Sequence, residues 1–187
     1  LEVFERDLLL EARVFEIVVA SLDSLTPRVE IIRPGLVTFP TLGPSRYFGG
    51  DLPMAQRCVE LAQGALGRLG SARVGIADGV FCASLAARCA ADGDVLNVPA
   101  GGSPDFLAPF HVRALERPEL TSVLVRLGLN TLGSLAELER GDFIARFGAD
   151  GAQVHRLASG LDAQPLAVSA LPLDMGVVID LDPPINR

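Results

Sequence analysis

Three cysteines, two histidines, a glycine-rich loop and an acidic tail are the places where this sequence could do chemistry. Each has an ordinary structural reading. Cys58, Cys82 and Cys89 are odd in number and match neither zinc-ligand spacing nor a disulfide framework, so they read as buried, reduced thiols. Cys82 and Cys89 lie seven apart, on one face of an expected helix. His111 and His155 have no partner at metal-ligand spacing and read as packing or surface residues. The loop GPSRYFGGD, residues 43–51, lacks the Gly-Lys-Ser/Thr ending of a phosphate loop, and its aromatics point to packing. Asp174, Asp180 and Asp182 alternate with Val and Ile ahead of Pro183 and Pro184, the pattern of an extended connector.

One further stretch raises a question of its own. VEIIRPGLVTFPT, residues 29–41, opens like a buried strand with Val29, Ile31 and Ile32, then meets Arg33, Pro34 and Gly35. Proline has no amide donor and glycine no side chain, so a central strand is broken there. One kinked strand, or two strands in one ladder, both fit.

Composition bounds the elements that must position these residues. A chain of 187 residues with 49% hydrophobic content can build one good core, or one core and a small satellite domain. Charged residues interrupt every run that approaches membrane-spanning length, and the first residues carry acids instead of a basic leader, so a soluble intracellular domain is expected. The missing initiator Met suggests a fragment of a longer chain. All 16 basic residues are Arg, a bias that fits a GC-rich bacterial coding sequence. The net charge of −7 argues against a strong non-specific grip on nucleic acid, because phosphate neutralisation supplies most of such binding.

The chain divides into two unlike halves. Residues 4–25 form an expected amphipathic helix, with Leu8, Val14, Phe15, Val18, Val19, Leu22 and Leu25 near helical spacing, and Thr26-Pro27 ends it. Strand 28–32 follows, then the Pro34-Gly35 break, extended structure at 36–39, and a segment at 43–51 that is turn-rich at both ends. Asp51 caps a helix running through residues 55–69, strand 72–77 leads to a helix of small residues from Val80, and strand 94–100 closes the alternation. Beyond Pro104, short helical patterns (TSVLVRLG, LGSLAELE, GDFIARFG, GAQVHRLASG) are each bounded by Gly, the signature of short helices joined by tight turns.

The pieces TPRVE with its strand, GPSRYFGG, the VGIAD-to-AAR segment and LGLNTLG together resemble the later palm and the thumb of Y-family translesion DNA polymerases, most of all the ImuB-like branch. The resemblance covers essentially the whole chain. It implies an α+β fold: a partial palm over residues 1–103, a small all-α, helix-hairpin-helix-like thumb over 104–165, and a linker over 166–187 toward a little-finger domain.

The same resemblance locates the catalytic centre. Active members carry a Ser-Ile-Asp-Glu run on the strand after the TPRVE-like segment, its Asp holding magnesium ions, because phosphoryl transfer needs carboxylate oxygens to fix the metals. Counted from Glu30, that run falls on Arg33, Pro34, Gly35 and Leu36, none of which ligates a hard cation. An Asn-Lys pair and a further Lys that face the triphosphate fall on Gly79, Val80 and Ser84. In the thumb, Glu116, Arg117, Pro118 and Glu119 replace a Gly-hydrophobic-Gly turn whose amides approach a DNA phosphate. Arg117, Asn130 and Thr131 remain as candidates for weak DNA-phosphate contacts, although Arg117 reads first as a solvated surface residue and Asn130 or Thr131 first as the cap of the next helix.

These substitutions lead to an expectation of a non-enzyme: a scaffold or adaptor in damage-induced (SOS) mutagenic translesion synthesis, with no catalytic residue, no metal and no cofactor. The implied partners are a RecA-like accessory protein, an error-prone C-family DNA polymerase and the sliding clamp, and the implied location is the cytoplasm, at the nucleoid during DNA damage. The alternatives are an active translesion polymerase or a helix-hairpin-helix DNA-binding module.

Overall fold

The computed structural model describes residues 8–162. The first residues of the expected N-terminal helix, the linker 166–187 and its three aspartates lie outside the described residues.

Helix α1, Leu8–Leu22, turns its apolar stripe inward: Val14, Phe15 and Val18 are half-buried and Leu22 is fully buried, while Ile17 on the other face is exposed. Two short strands follow, β1 (Glu30–Arg33) and β2 (Leu36–Thr38), paired antiparallel. Pro34 and Gly35 are the turn between them, with Gly35 at φ 82°. Proline presets the first central position of such a turn and glycine accepts the positive φ of the second, so the break in the strand pattern is a hairpin tip. The register slips between Ile31 and Arg33, an irregularity that accommodates a turn whose twist does not match that of the flanking strands. The expectation of a buried first strand is corrected here: Ile31 and Ile32 are 55% and 43% exposed, because a hairpin of two strands covers only what packs against α1 and the helix after it.

Residues 43–51 also depart from the sequence reading. Leu42–Phe48 is a helix, α2, stopped by Gly49 in the left-handed conformation. Pro44 lies in its first turn, where a missing N–H removes no intrahelical bond, so the glycines and proline bound a helical turn instead of a loop. Helix α3, Asp51–Leu66, buries Met54, Cys58 and Ala62 on one row and Ala55 and Val59 on the next, at the four-residue spacing of one helix face. It packs against α1 and α2 and under the second pair of strands, at residues 74–76 and 95–97.

Strand β3 (Val74–Ile76), helix α4 (Val80–Cys89) and strand β4 (Val95–Asn97) form a βαβ unit in which Val74 pairs with Val95 and Ile76 with Asn97 in parallel. After it come α5 (Ser103–Leu107), a 3₁₀ turn (Val112–Leu115), α6 (Pro118–Arg126), α7 (Leu132–Ala136) and α8 (Arg140–Ala158). The two helical patterns expected on either side of Gly148 continue as one element, kinked where Gly148 takes φ 63°. Leu85, Ala86 and Val98 share a core cluster with Leu107, Leu124, Leu132, Leu135, Phe143 and Val154, so α4 and the helices of the second half bury one another. The fold is mixed α+β, as the sequence indicates. No described helix is long and apolar enough to cross a membrane.

Among the described glycines, the tightest approach is at Gly75. A Cβ there would lie 2.1 Å from the Ala83 carbonyl oxygen and 2.3 Å from the Ala87 nitrogen, both backbone atoms of α4. Gly75→Ala is therefore expected to destabilise the chain by about 3 kcal/mol, the upper end for overpacking of a core, because α4 itself must retreat. Urea unfolding checks this, and a loss below about 0.5 kcal/mol, the range of ordinary surface substitutions, would show that α4 does not rest on β3.

Candidate functional site

A cleft of about 870 Å³ separates the β1–β2 hairpin from β3, walled by β2 and β3 and backed by the apolar faces of α1 and α3. Its rim holds the hairpin tip, Pro34, Gly35 and Leu36, and the start of α4, Gly79, Val80 and Ser84. Positions more than forty residues apart, which the sequence reading assigned to the metal run and the triphosphate-facing pair, thus line one cavity. Arg33 stands just outside this lining.

Two carboxylates organise the α4 side. Asp162 accepts a hydrogen bond from the Phe81 backbone N–H at 2.8 Å, capping the start of α4 from eighty-one residues away. Anionic groups are favoured there by the unsatisfied amides and the helix dipole. The fit is close, because a Cβ on Gly79 would come within 2.4 Å of the Asp162 side chain. Asp78 accepts from the Gly101 N–H at 2.8 Å and the Ser103 hydroxyl at 3.1 Å, tying the end of β3 to the start of α5. Both contacts join sequence-distant elements, and no local pattern signals either one.

Chemically, the hairpin tip offers no side-chain oxygen that could hold a divalent cation: Arg33, Pro34, Gly35 and Leu36 carry a guanidinium, a ring, a hydrogen and an isobutyl group. Among the described residues no group of His, Cys, Asp and Glu side chains is arranged to hold a metal. The magnesium chemistry of the resembling family therefore does not fit this turn.

The second-half candidates occupy separate places. Arg117 donates to Asp150 Oδ1 at 3.2 Å and to Gln153 Oε1 at 2.9 Å, which holds it against α8. Thr131 is the N-cap of α7, accepting from the Ser134 N–H in a reciprocal capping box, while Asn130 donates to the Gly128 carbonyl at 3.3 Å. Glu116 adopts φ 55°, the left-handed conformation in which the family's turn would carry glycine. His111 caps the 3₁₀ turn by accepting from the Arg113 N–H, and the buried His155 donates from Nε2 to the Leu138 carbonyl at 3.0 Å. Both histidines are structural.

No family model matches the chain. Among curated proteins it is 27% identical over 172 residues to DNA polymerase IV of Desulfatibacillum aliphaticivorans, covering 91% of this chain and 42% of that protein. It is 32% identical over 98 residues to DNA polymerase IV of Dehalococcoides mccartyi (strain CBDB1), covering 51% of this chain and 25% of that protein. Among solved structures, the Y-family DNA polymerase chimera Dbh-Dpo4(243-245)-Dbh superposes with a TM-score of 0.66 at 13% identity over 84% of this chain and 46% of that one. DinB from Sulfolobus solfataricus superposes with a TM-score of 0.63 at 15% identity over 86% and 48%. The fold is that of Y-family DNA polymerases. The curated relatives are similar to the chain in sequence, and the chain spans less than half the length of the relatives it matches.

These relatives correct the expectation of a non-enzyme, since both are named DNA polymerase IV, an enzyme. The expectation failed because it judged a catalytic centre from the Arg33–Leu36 turn, the positions Gly79, Val80 and Ser84 and the thumb turn at Glu116–Glu119. A metal centre gathers ligands from several separate segments, and the side chains of one turn do not decide the others.

The cysteines test the packing around the cleft. Cys58 lines it from α3, and burial pushes its thiol up to about 11. Cys82 is pushed up by burial and by the charges of Asp78 and Asp162, against a hydrogen bond with Ser103. Cys89, expected to be buried on the same face as Cys82, is exposed, because it ends α4 beyond the reach of the core. Maleimide at pH 8 is therefore expected to modify Cys89 rapidly and to leave Cys58 and Cys82 unmodified until the chain is unfolded, since both are buried and burial holds both thiols above their ordinary range. Rapid native-state modification of Cys58 would contradict the packing of α1 on α3.

Proposed function

We propose that this chain is the palm-and-thumb part of a Y-family polymerase in translesion DNA synthesis, with residues 1–103 as palm and 104–165 as thumb. The observation that carries this is the single cleft onto which the hairpin tip at Pro34–Leu36 and the α4 start at Gly79–Ser84 converge, inside a Y-family fold. In that role the chain's own residues position the nucleic acid. The hairpin tip and the start of α4 present backbone and small side chains to the cleft, so a strand end can approach closely. Asp162 and Asp78 hold the α4 start rigid while the helices of the second half grip the duplex. Carboxylates for metal binding would come from segments other than the Arg33–Leu36 turn.

A finer placement, in the ImuB-like branch, is supported by that turn, which departs from the Ser-Ile-Asp-Glu pattern at every position. On this placement the protein also acts as an adaptor during the SOS response, bringing a RecA-like accessory protein, an error-prone C-family DNA polymerase and the sliding clamp to damaged DNA at the nucleoid.

Lesion bypass tests the proposal. The full-length protein, given a primed template with an abasic site, magnesium and nucleotides, is expected to support extension past the lesion, assayed alone and with the C-family polymerase and clamp. Failure to bind the primed template, with no gain in bypass in either assay, would overturn it.

A further inference from the structure

Glu116 is the sole described non-glycine residue with positive φ, and its side chain bridges the two halves of the molecule. One of its carboxylate oxygens, Oε1, lies 3.4 Å from Arg88 Nη1 at the end of α4 and 3.7 Å from Arg33 Nη2 at the hairpin. Two guanidinium groups from elements fifty-five residues apart therefore converge on one anionic oxygen. All three side chains are more than half exposed, so solvent and ligands reach them.

A phosphodiester presents the same singly charged, oxygen-edged face as a carboxylate, and arginine is the side chain that best matches it. We propose that Arg33 and Arg88 form a clamp for a backbone phosphate of a nucleic acid strand passing the hairpin tip, and that Glu116 occupies the clamp when no strand is bound. The inference rests on the reading of the chain as part of a DNA polymerase, and it assigns a contact that the family's turn does not supply. Arg33 sits next to the Pro34-Gly35 tip that lines the cleft, and the shared Glu116 oxygen places Arg88, in the last turn of α4, beside it, so a strand that passes the hairpin tip meets both. Arg117, held by Asp150 and Gln153, is not a member of the clamp. In a chain of net charge −7, a local pair of arginines masked by one removable carboxylate lets affinity arise at one place without a general attraction for polyanions.

The test is binding of a primed-template duplex to the full 187-residue chain, by fluorescence anisotropy across a salt series. Glu116→Gln is expected to tighten binding about threefold to tenfold and to steepen the slope of log K against log salt by about 1, the increment for one further phosphate contact. Glu116→Gly removes the same carboxylate while suiting the left-handed backbone, so it is expected to reproduce the effect even if the Gln variant folds poorly. Adding Arg33→Gln and Arg88→Gln to either variant is expected to abolish the gain. Unchanged affinity and slope in both Glu116 variants, with the wild-type chain still binding DNA, would overturn the clamp and leave the polymerase reading standing. Absence of DNA binding in every variant would overturn both. If inorganic tripolyphosphate competes for the Glu116→Gln chain as well as DNA does, the clamp serves a nucleotide phosphate and the backbone assignment fails.

Discussion

The rest of the structure depends on how closely β3 lies against α4. Gly75 allows the strand to touch the backbone of α4 at Ala83 and Ala87, and this contact sets how close α4 lies to the sheet. The start of α4 then forms one rim of the cleft, while its body carries Cys82, Leu85 and Ala86 into the core shared with the second half. A single missing side chain therefore sets both the shape of the site and the join between the halves. The packing tolerates little change, because interiors are close-packed and backbone atoms cannot step aside as a flexible side chain can.

Asp162 extends the same constraint. By capping α4 from the end of α8's side of the chain, it ties the helical half to the cleft rim. Glu116 makes a second and weaker tie to Arg33 and Arg88. The first is short and sits against a glycine, whereas the second joins exposed side chains at ion-pair distance, where solvent screening leaves little net stabilisation. One tie holds the architecture, and the other can open without cost to the fold.

Much of this was legible in the residues. Asp51 marked the start of α3, and the apolar stripe through Val14, Val18 and Leu22 gave α1, because helix starts carry local signals and helical burial is periodic. The Pro34-Gly35 break marked the hairpin tip, although sequence could not separate a turn from a kink. Residues 43–51 misled, since glycines at both ends outweighed a helical middle. The Asp162 cap, the Gly75 contact and the bridge through Glu116 were out of reach: each depends on elements brought together by topology, and a glutamate carries no local signal for positive φ. The catalytic reading showed the same limit, as the chemistry of three local segments was taken for that of a whole centre.

The central claim is that the cleft between hairpin and β3 is where nucleic acid is positioned. Hydrogen exchange of the full-length protein with and without a primed template measures this most directly, residue by residue. The claim expects slowed exchange at Gly35, Leu36 and the amides of Val80 to Ser84 when DNA binds. DNA binding that leaves both segments unchanged, with protection confined to other parts of the protein, would contradict it.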